Sequence, residues 1–244
     1  MQSLGIVPGW ETDQGTRMTG LELRLEPGWK TYWRAPGEAG IPPRFDWTGS
    51  DNLRDVRVHW PRPEVFDTNG MRTIGYHDEV TFPLELIPED PAKPIKLRAR
   101  ADFGVCSDIC IPVSMDFETA VDRGNGEKYG QRKIRAALND RPSPARQAGV
   151  ASVHCRAEPI RDGLRLTTEI ALPAQGRNEV AIVEHGNRTI WVSEAESIRD
   201  DGLLRVVAEL VPPEAQPFAL DRSEIRITVL GQNGAVDIHG CTGG

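Results

Sequence analysis

Ala101-Asp-Phe-Gly-Val-Cys106-Ser-Asp-Ile-Cys110-Ile-Pro-Val-Ser-Met-Asp-Phe117 places two cysteines four apart in an apolar, strand-like stretch. Residues 95–103 alternate apolar and polar side chains, the period of a strand with one buried face, and 115–121 alternate again, so the cysteines fall at the tip of a hairpin. A bridge between Cys106 and Cys110 closes a ring of five residues, worth about 2 kcal/mol in the chain-entropy model. A loop the size of that between Cys155 and Cys241 is worth about 4.6 kcal/mol. A pair that adds little to folding suits chemistry that opens and closes it.

The spacing leaves two uses open. A zinc knuckle needs a second Cys or His pair, and no second CxxC or HxxxH occurs in the chain. Redox CxxC pairs sit at helix N-termini, where the dipole and nearby cations lower the thiol pKa. Here three residues intervene, one of them the anion Asp108, and no Lys, Arg or His lies between Phe103 and Asp122, so nothing local in sequence favours a thiolate. Such a pair is a disulfide that waits to be attacked by a partner's thiolate or a dithiol that hands electrons on only when docked, or else a plain hairpin disulfide of a secreted β domain.

Composition points to an extracytoplasmic β protein. The 244 residues suffice for one large or two modest domains. A formal charge of −7 without Lys/Arg-rich runs argues against nucleic acid or an anionic membrane as partner. The 19 Pro and 24 Gly punctuate short segments throughout, as turn-rich all-β folds require. An even count of four cysteines fits an oxidising compartment. No apolar run approaches the ~20 residues that span a bilayer, and the start is not a signal peptide, so a soluble piece excised from a longer protein is expected.

Alternation begins at 19–26, where Leu21, Leu23 and Leu25 share a face, and further short strands are expected at 29–33, 44–47, 56–60 and 80–87. With the hairpin these make an immunoglobulin-like sandwich over residues 1–122. Residues 126–139 carry helix formers with Ile134, Ala137 and Leu138 on one side, ended by Arg141-Pro-Ser-Pro, and predict a short helix in a linker spanning 123–149. Strand signals resume at 163–172, 179–184, 189–192, 203–210, 224–230 and 235–239, a second β-sandwich over 150–244. The expected fold is therefore all-β, two immunoglobulin-like sandwiches in tandem joined by a short helical linker.

Four motifs in order, Pro27-Gly-Trp-Lys-Thr-Tyr-Trp-Arg-Ala-Pro-Gly-Glu-Ala-Gly-Ile-Pro-Pro43, Trp60-Pro-Arg-Pro63, Gly75-Tyr-His-Asp-Glu-Val-Thr-Phe-Pro83 and Val105-Cys-Ser-Asp-Ile-Cys-Ile-Pro112, carry a resemblance over about residues 18–120. The chain resembles the N-terminal periplasmic domain of the DsbD family of thiol:disulfide interchange proteins, closest to the branch called suppressor of copper sensitivity protein B. The resemblance implies a periplasmic reductase relay: a membrane-embedded domain of the full-length protein reduces Cys106–Cys110, and the pair then reduces thioredoxin-fold partners. It implies that Cys110 forms the mixed disulfide and Cys106 resolves it. It also implies a cap loop, placed here at Phe66-Asp-Thr-Asn69-Gly70-Met71, with shielding from Phe66 or Met71. Asp67 falls on a family acidic position, Trp29 and Tyr32 on aromatic positions beside the pair, and Tyr76 within a matching segment. Thr68 and Asn69 depart from the pattern, standing where the DsbD form has a second acid and a shielding aromatic.

Asp67 and Asp108 are candidate proton acceptors, since a carboxylate can take the proton leaving an attacking thiol. Their alternative is that of solvated loop acids. His59 and His77 read as ordinary surface or core histidines. In the second domain His154-Cys155 and His239-Gly-Cys241 lie near the two ends, where first and last strands of sandwiches often meet. A structural disulfide between Cys155 and Cys241 is expected. The alternative is a soft-metal site for Cu(I) from Cys155, His239 and Cys241, disfavoured because adjacent residues such as His154 and Cys155 point to opposite faces of a strand. No cofactor is expected. The function class opposed to the relay is a non-catalytic copper-binding or interaction sandwich with structural disulfides.

Overall fold

The structure is a computed structural model; it describes residues 2–37, 39–68, 70–107, 109–124 and 126–243. The chain divides into two compact units, Met1–Arg141 and Pro142–Gly244.

The first unit holds β1 (Ser3–Glu11), β2 (Arg17–Arg24), β3 (Lys30–Tyr32), β4 (Arg44–Asp46), β5 (Leu53–Val58), β6 (Glu64–Thr68), β7 (Met71–His77), β8 (Glu79–Pro88), β9 (Ile95–Cys106), β10 (Cys110–Val121) and α1 (Lys128–Asn139). One sheet has the order β1-β2-β8-β5; the other runs β10-β9-β3-β7-β6, with β4 also pairing β9. The alternation at Leu21, Leu23 and Leu25 and that at Ile95, Leu97, Ala99, Ala101 and Phe103 supply the two facing layers, all buried. Phe82 sits at their centre, its ring 5.3 Å from Trp60, 5.5 Å from Tyr76, 6.3 Å from Phe45 and 6.5 Å from Phe103. Burying each such ring stabilises by about 1.5–3 kcal/mol. The structure is the all-β, two-sandwich fold expected.

The helix expected in a linker is instead part of the first unit. It covers the outer face of the four-stranded sheet, and Ile134 is fully buried there. Glycines make this approach possible: a Cβ on Gly20 would lie 2.9 Å from Ile134 Cγ1, and one on Gly130 would lie 2.3 Å from the Pro8 carbonyl oxygen. The N-cap Glu127 makes no side-chain capping bond, so packing rather than capping holds the helix.

The second unit holds β11 (Ser143–Pro144), β12 (Ser152–Pro159), β13 (Leu164–Ala171), β14 (Val180–His185), β15 (Trp191–Val192), β16 (Glu196–Asp200), β17 (Leu203–Val211), β18 (Ile225–Leu230), β19 (Ala235–His239) and β20 (Thr242–Gly243). Its sheets run β11-β19-β18-β14 and β15-β17-β13-β12-β20, with β16 also on β17. Leu166, Ile170, Leu204, Val206 and Leu210 of one sheet bury against Ile225, Ile227, Val229, Val236 and Ile238 of the other. The strand that carries Cys155 and the one that follows Cys241 meet here: β12 and β20 pair in parallel, His154 opposite Thr242.

Candidate functional site

Cys106 ends β9 and Cys110 begins β10, directly opposite each other in the antiparallel register, and a disulfide joins them. Along β9 the odd-numbered residues from Ile95 to Val105 face the core, while Lys96, Arg98 and Arg100 are exposed on the other face. By this alternation Gly104 and Cys106 belong to the outer face. Cys106 is nonetheless 1% exposed, whereas Cys110 is exposed.

Tyr32 explains the burial. Its hydroxyl lies 3.0 Å from Cys106 Sγ and 3.1 Å from Cys110 Sγ. Its ring lies over Gly104, where a Cβ would stand 2.9 Å from the ring and 2.7 Å from Ile41 Cβ. The residue opposite Tyr32 on β7 is Gly75, where a Cβ would meet the Thr31 carbonyl oxygen at 1.9 Å. Two bare backbone positions thus flank the tyrosine. Burial pushes the Tyr32 phenol above its ordinary value, so it keeps its proton and remains a donor to a sulfur anion.

The same register builds a row across four strands. Cys110 opposes Cys106, Cys106 opposes Lys30, and Lys30 opposes His77, so all four side chains share one face. Lys30 Nζ donates to Thr73 Oγ1 at 3.2 Å and sits 5.0 Å from the centre of the Phe66 ring. Phe66 meets the His77 ring edge-on at 4.5 Å, and His77 Nδ1 lies 3.2 Å from Glu64 Oε2. A lysine therefore stands opposite Cys106 in the register, although the local sequence holds no cation. Only the strand register could show this, since 76 positions separate the two residues.

The remaining candidates sort by face. The segment expected as a cap loop is the hairpin β6–β7, turning at Gly70 with φ +77°, a conformation that favours glycine. It leaves Cys110 exposed, so the shielding expected of Phe66 and Met71 is not what the structure shows: Phe66 packs on Lys30 and His77, and Met71 is 54% exposed. Asp67 opposes Arg72, one residue out of phase with Phe66, and so belongs to the face away from the sulfurs. Its proposed proton transfer has no geometric support. Asp108 and Asn69 lie outside the described residues. Tyr76 pairs with Thr31 on the core face, donates to the Pro61 carbonyl at 2.9 Å and packs on Phe82, which makes it a core residue rather than a neighbour of the sulfurs. Trp29 is half-buried in the turn before β3, its carbonyl accepting from Asp78 N. His59 lies by the four-stranded sheet, its Nδ1 3.0 Å from Arg141 Nη1; burial and that cation pull its pKa down.

In the second unit Cys155, 1% exposed, and Cys241 are joined in a disulfide. The bridge occupies both sulfurs, and His239 Nε2 turns to Asp237 Oδ2 at 3.2 Å, so this geometry does not assemble the copper alternative. Among the described residues no group of three or more His, Cys, Asp or Glu side chains is placed to hold a metal ion, and no helix is long and apolar enough to cross a membrane.

Residues 6–122 match the family model for the N-terminal domain of the thiol:disulfide interchange protein DsbD. Among solved structures, the N-terminal periplasmic domain of ScsB from Proteus mirabilis has a TM-score of 0.73 at 21% identity, covering 100% of this chain and 94% of that one. The likeness of fold thus extends past the first unit, beyond the roughly 18–120 over which the motifs carry it. No curated protein matches the chain in sequence. The matches support a role in thiol:disulfide interchange, and residues 6–122 are the part of the chain that is similar to the N-terminal domain of the thiol:disulfide interchange protein DsbD.

Proposed function

We propose that the first unit is a periplasmic reductase relay module, taking electrons from a membrane-embedded domain of a longer protein and passing them to thioredoxin-fold partners through Cys106 and Cys110. The observation that carries this reading is the asymmetry of the pair. One sulfur is exposed, the other is buried, and a single phenol touches both.

In the reduced state the Cys110 thiolate attacks one sulfur of the partner's disulfide, and the partner's other sulfur leaves as a thiolate. Cys106, as thiolate, then attacks Cys110 Sγ and expels the partner's remaining sulfur, leaving Cys106–Cys110 oxidised and the partner a dithiol. Reduction by the upstream donor is the reverse exchange: its thiolate attacks the accessible Cys110, and the electron pair departs on Cys106. At each step the Tyr32 hydroxyl can donate to whichever sulfur carries charge. Ile109, 66% exposed, Ile111, 41%, and Ile41, 39%, give the exposed sulfur an apolar margin on which a partner can seat.

Titration against a glutathione buffer, with the two bridges followed separately by mass spectrometry, tests the reading. Cys106–Cys110 should have a potential above about −300 mV and Cys155–Cys241 one below it. A Cys106–Cys110 potential below that bound would make the hairpin bridge structural and overturn the relay.

A further inference from the structure

We propose that Lys30 is a positioning residue for the exchange, a cation with two stations: the Phe66 ring and Thr73 Oγ1 while the pair is oxidised, and the Cys106 sulfur once it becomes a thiolate. The proposal rests on the relay reading and adds to it the group that stabilises the buried sulfur.

The argument starts from register. Lys30 directly opposes Cys106 on the same sheet face, and residues so opposed have Cβ atoms about 4.5–5.5 Å apart. The four-carbon stem with its compact ammonium reaches several places from one backbone position. In the oxidised structure neither sulfur carries charge, and the ammonium lies instead at Thr73 Oγ1, 3.2 Å away, and 5.0 Å from the Phe66 ring centre. Neither of these partners carries a negative charge, and the ring holds the ammonium by its quadrupole. The groups beside it on this face are Tyr32 on β3, Cys106 and Cys110 on the hairpin, His77 on β7 and Glu64 on β6, while Arg44, Asp46, Lys96, Arg98, Arg100, Asp102, Asp116 and Glu118 lie further along the same face. The Glu64 carboxylate faces His77 at 3.2 Å.

The step that needs the cation is the attack of an incoming thiolate on Cys110 Sγ. A new S–S bond forms between them, the Cys106–Cys110 bond breaks, and the electron pair remains on Cys106. That anion is 1% exposed in the starting structure and is poorly solvated. Tyr32 gives it one hydrogen bond; Lys30, its neighbour in register, gives it the opposite charge. The ammonium then leaves Phe66, which couples the redox state of the pair to the packing of the β6–β7 hairpin.

The test titrates Cys106 alone, in the full chain carrying Cys110→Ser, by thiolate ultraviolet absorbance. Lys30→Gln should raise the Cys106 pKa by about one unit, a tenfold smaller thiolate fraction at a given pH, as expected on removing a cation within contact distance. Lys30→Arg should restore it. A second readout keeps both cysteines: reduction of the bridge by 2-mercaptoethanol, whose thiolate carries no charge other than that of the attacking sulfur, should slow about tenfold in Lys30→Gln while its melting temperature holds. A Cys106 pKa equal in wild type, Lys30→Gln and Lys30→Arg would overturn the proposal. No partner protein enters either measurement, so a failure here leaves mixed-disulfide trapping untouched, and a failure of trapping leaves this result standing.

Discussion

Tyr32 is one residue on which burial, sterics and chemistry converge. Gly104 and Gly75 clear the space around it, and its hydroxyl bridges both sulfurs. A hydrogen bond to a charged group is worth about 1.5–3 kcal/mol, so Tyr32→Phe should slow reduction of the bridge by a neutral small thiol about tenfold or more while the far-ultraviolet spectrum is unchanged; an unaltered rate would show that the phenol only packs. Gly75→Ala is expected to cost about 1–3 kcal/mol or more by overpacking, because its Cβ would meet the Thr31 carbonyl at 1.9 Å; urea denaturation reads this directly. Tyr76 gives a pH dependence. Burial raises its phenol well above the ordinary value of 10.0. Its contribution is therefore full below the unfolded value near 10 and is lost progressively as pH rises from there through the raised folded value, an interval in which the unfolded chain has released a proton that the folded chain keeps. Tyr76→Phe should flatten the alkaline limb of the stability profile of the first unit.

The strands legible in the sequence are those with one apolar and one polar face. Leu21, Leu23 and Leu25, or Ile95 to Phe103, alternate because one side faces the opposite sheet and the other faces solvent or the helix. β1 hides its signal: Pro8 and Gly9 break the pattern, and the register shifts at a bulge between Pro8 and Trp10. Those same residues accept the helix, which is why a segment with no sequence-adjacent partner reads as a linker. The β6–β7 hairpin was legible only as a loop, and with it went the face assignment that removes Asp67 from the site. Ile134→Ala should destabilise the first unit by about 2–5 kcal/mol and leave the second unit's melting transition in place. A helix that merely linked the units would show no such loss.

Over the whole molecule, the two disulfides differ in what they hold. Cys106–Cys110 spans 4 positions and Cys155–Cys241 spans 86. The long loop is worth about 4.6 kcal/mol in the entropy model, so Cys155→Ala with Cys241→Ala should lower the second unit's melting temperature while exchange through Cys106 and Cys110 survives. The cysteine pairing and the all-β class were readable from spacing and periodicity. The cation beside Cys106 was not, because it is a property of strand order rather than of neighbouring sequence. The relay itself is tested most directly by incubating reduced Cys106→Ser and Cys110→Ser variants with an oxidised thioredoxin-fold protein and mapping any mixed disulfide by mass spectrometry. The account predicts a stable adduct through Cys110 in Cys106→Ser and none in Cys110→Ser; an adduct through Cys106 in the Cys110→Ser variant, with none in the other, would contradict it.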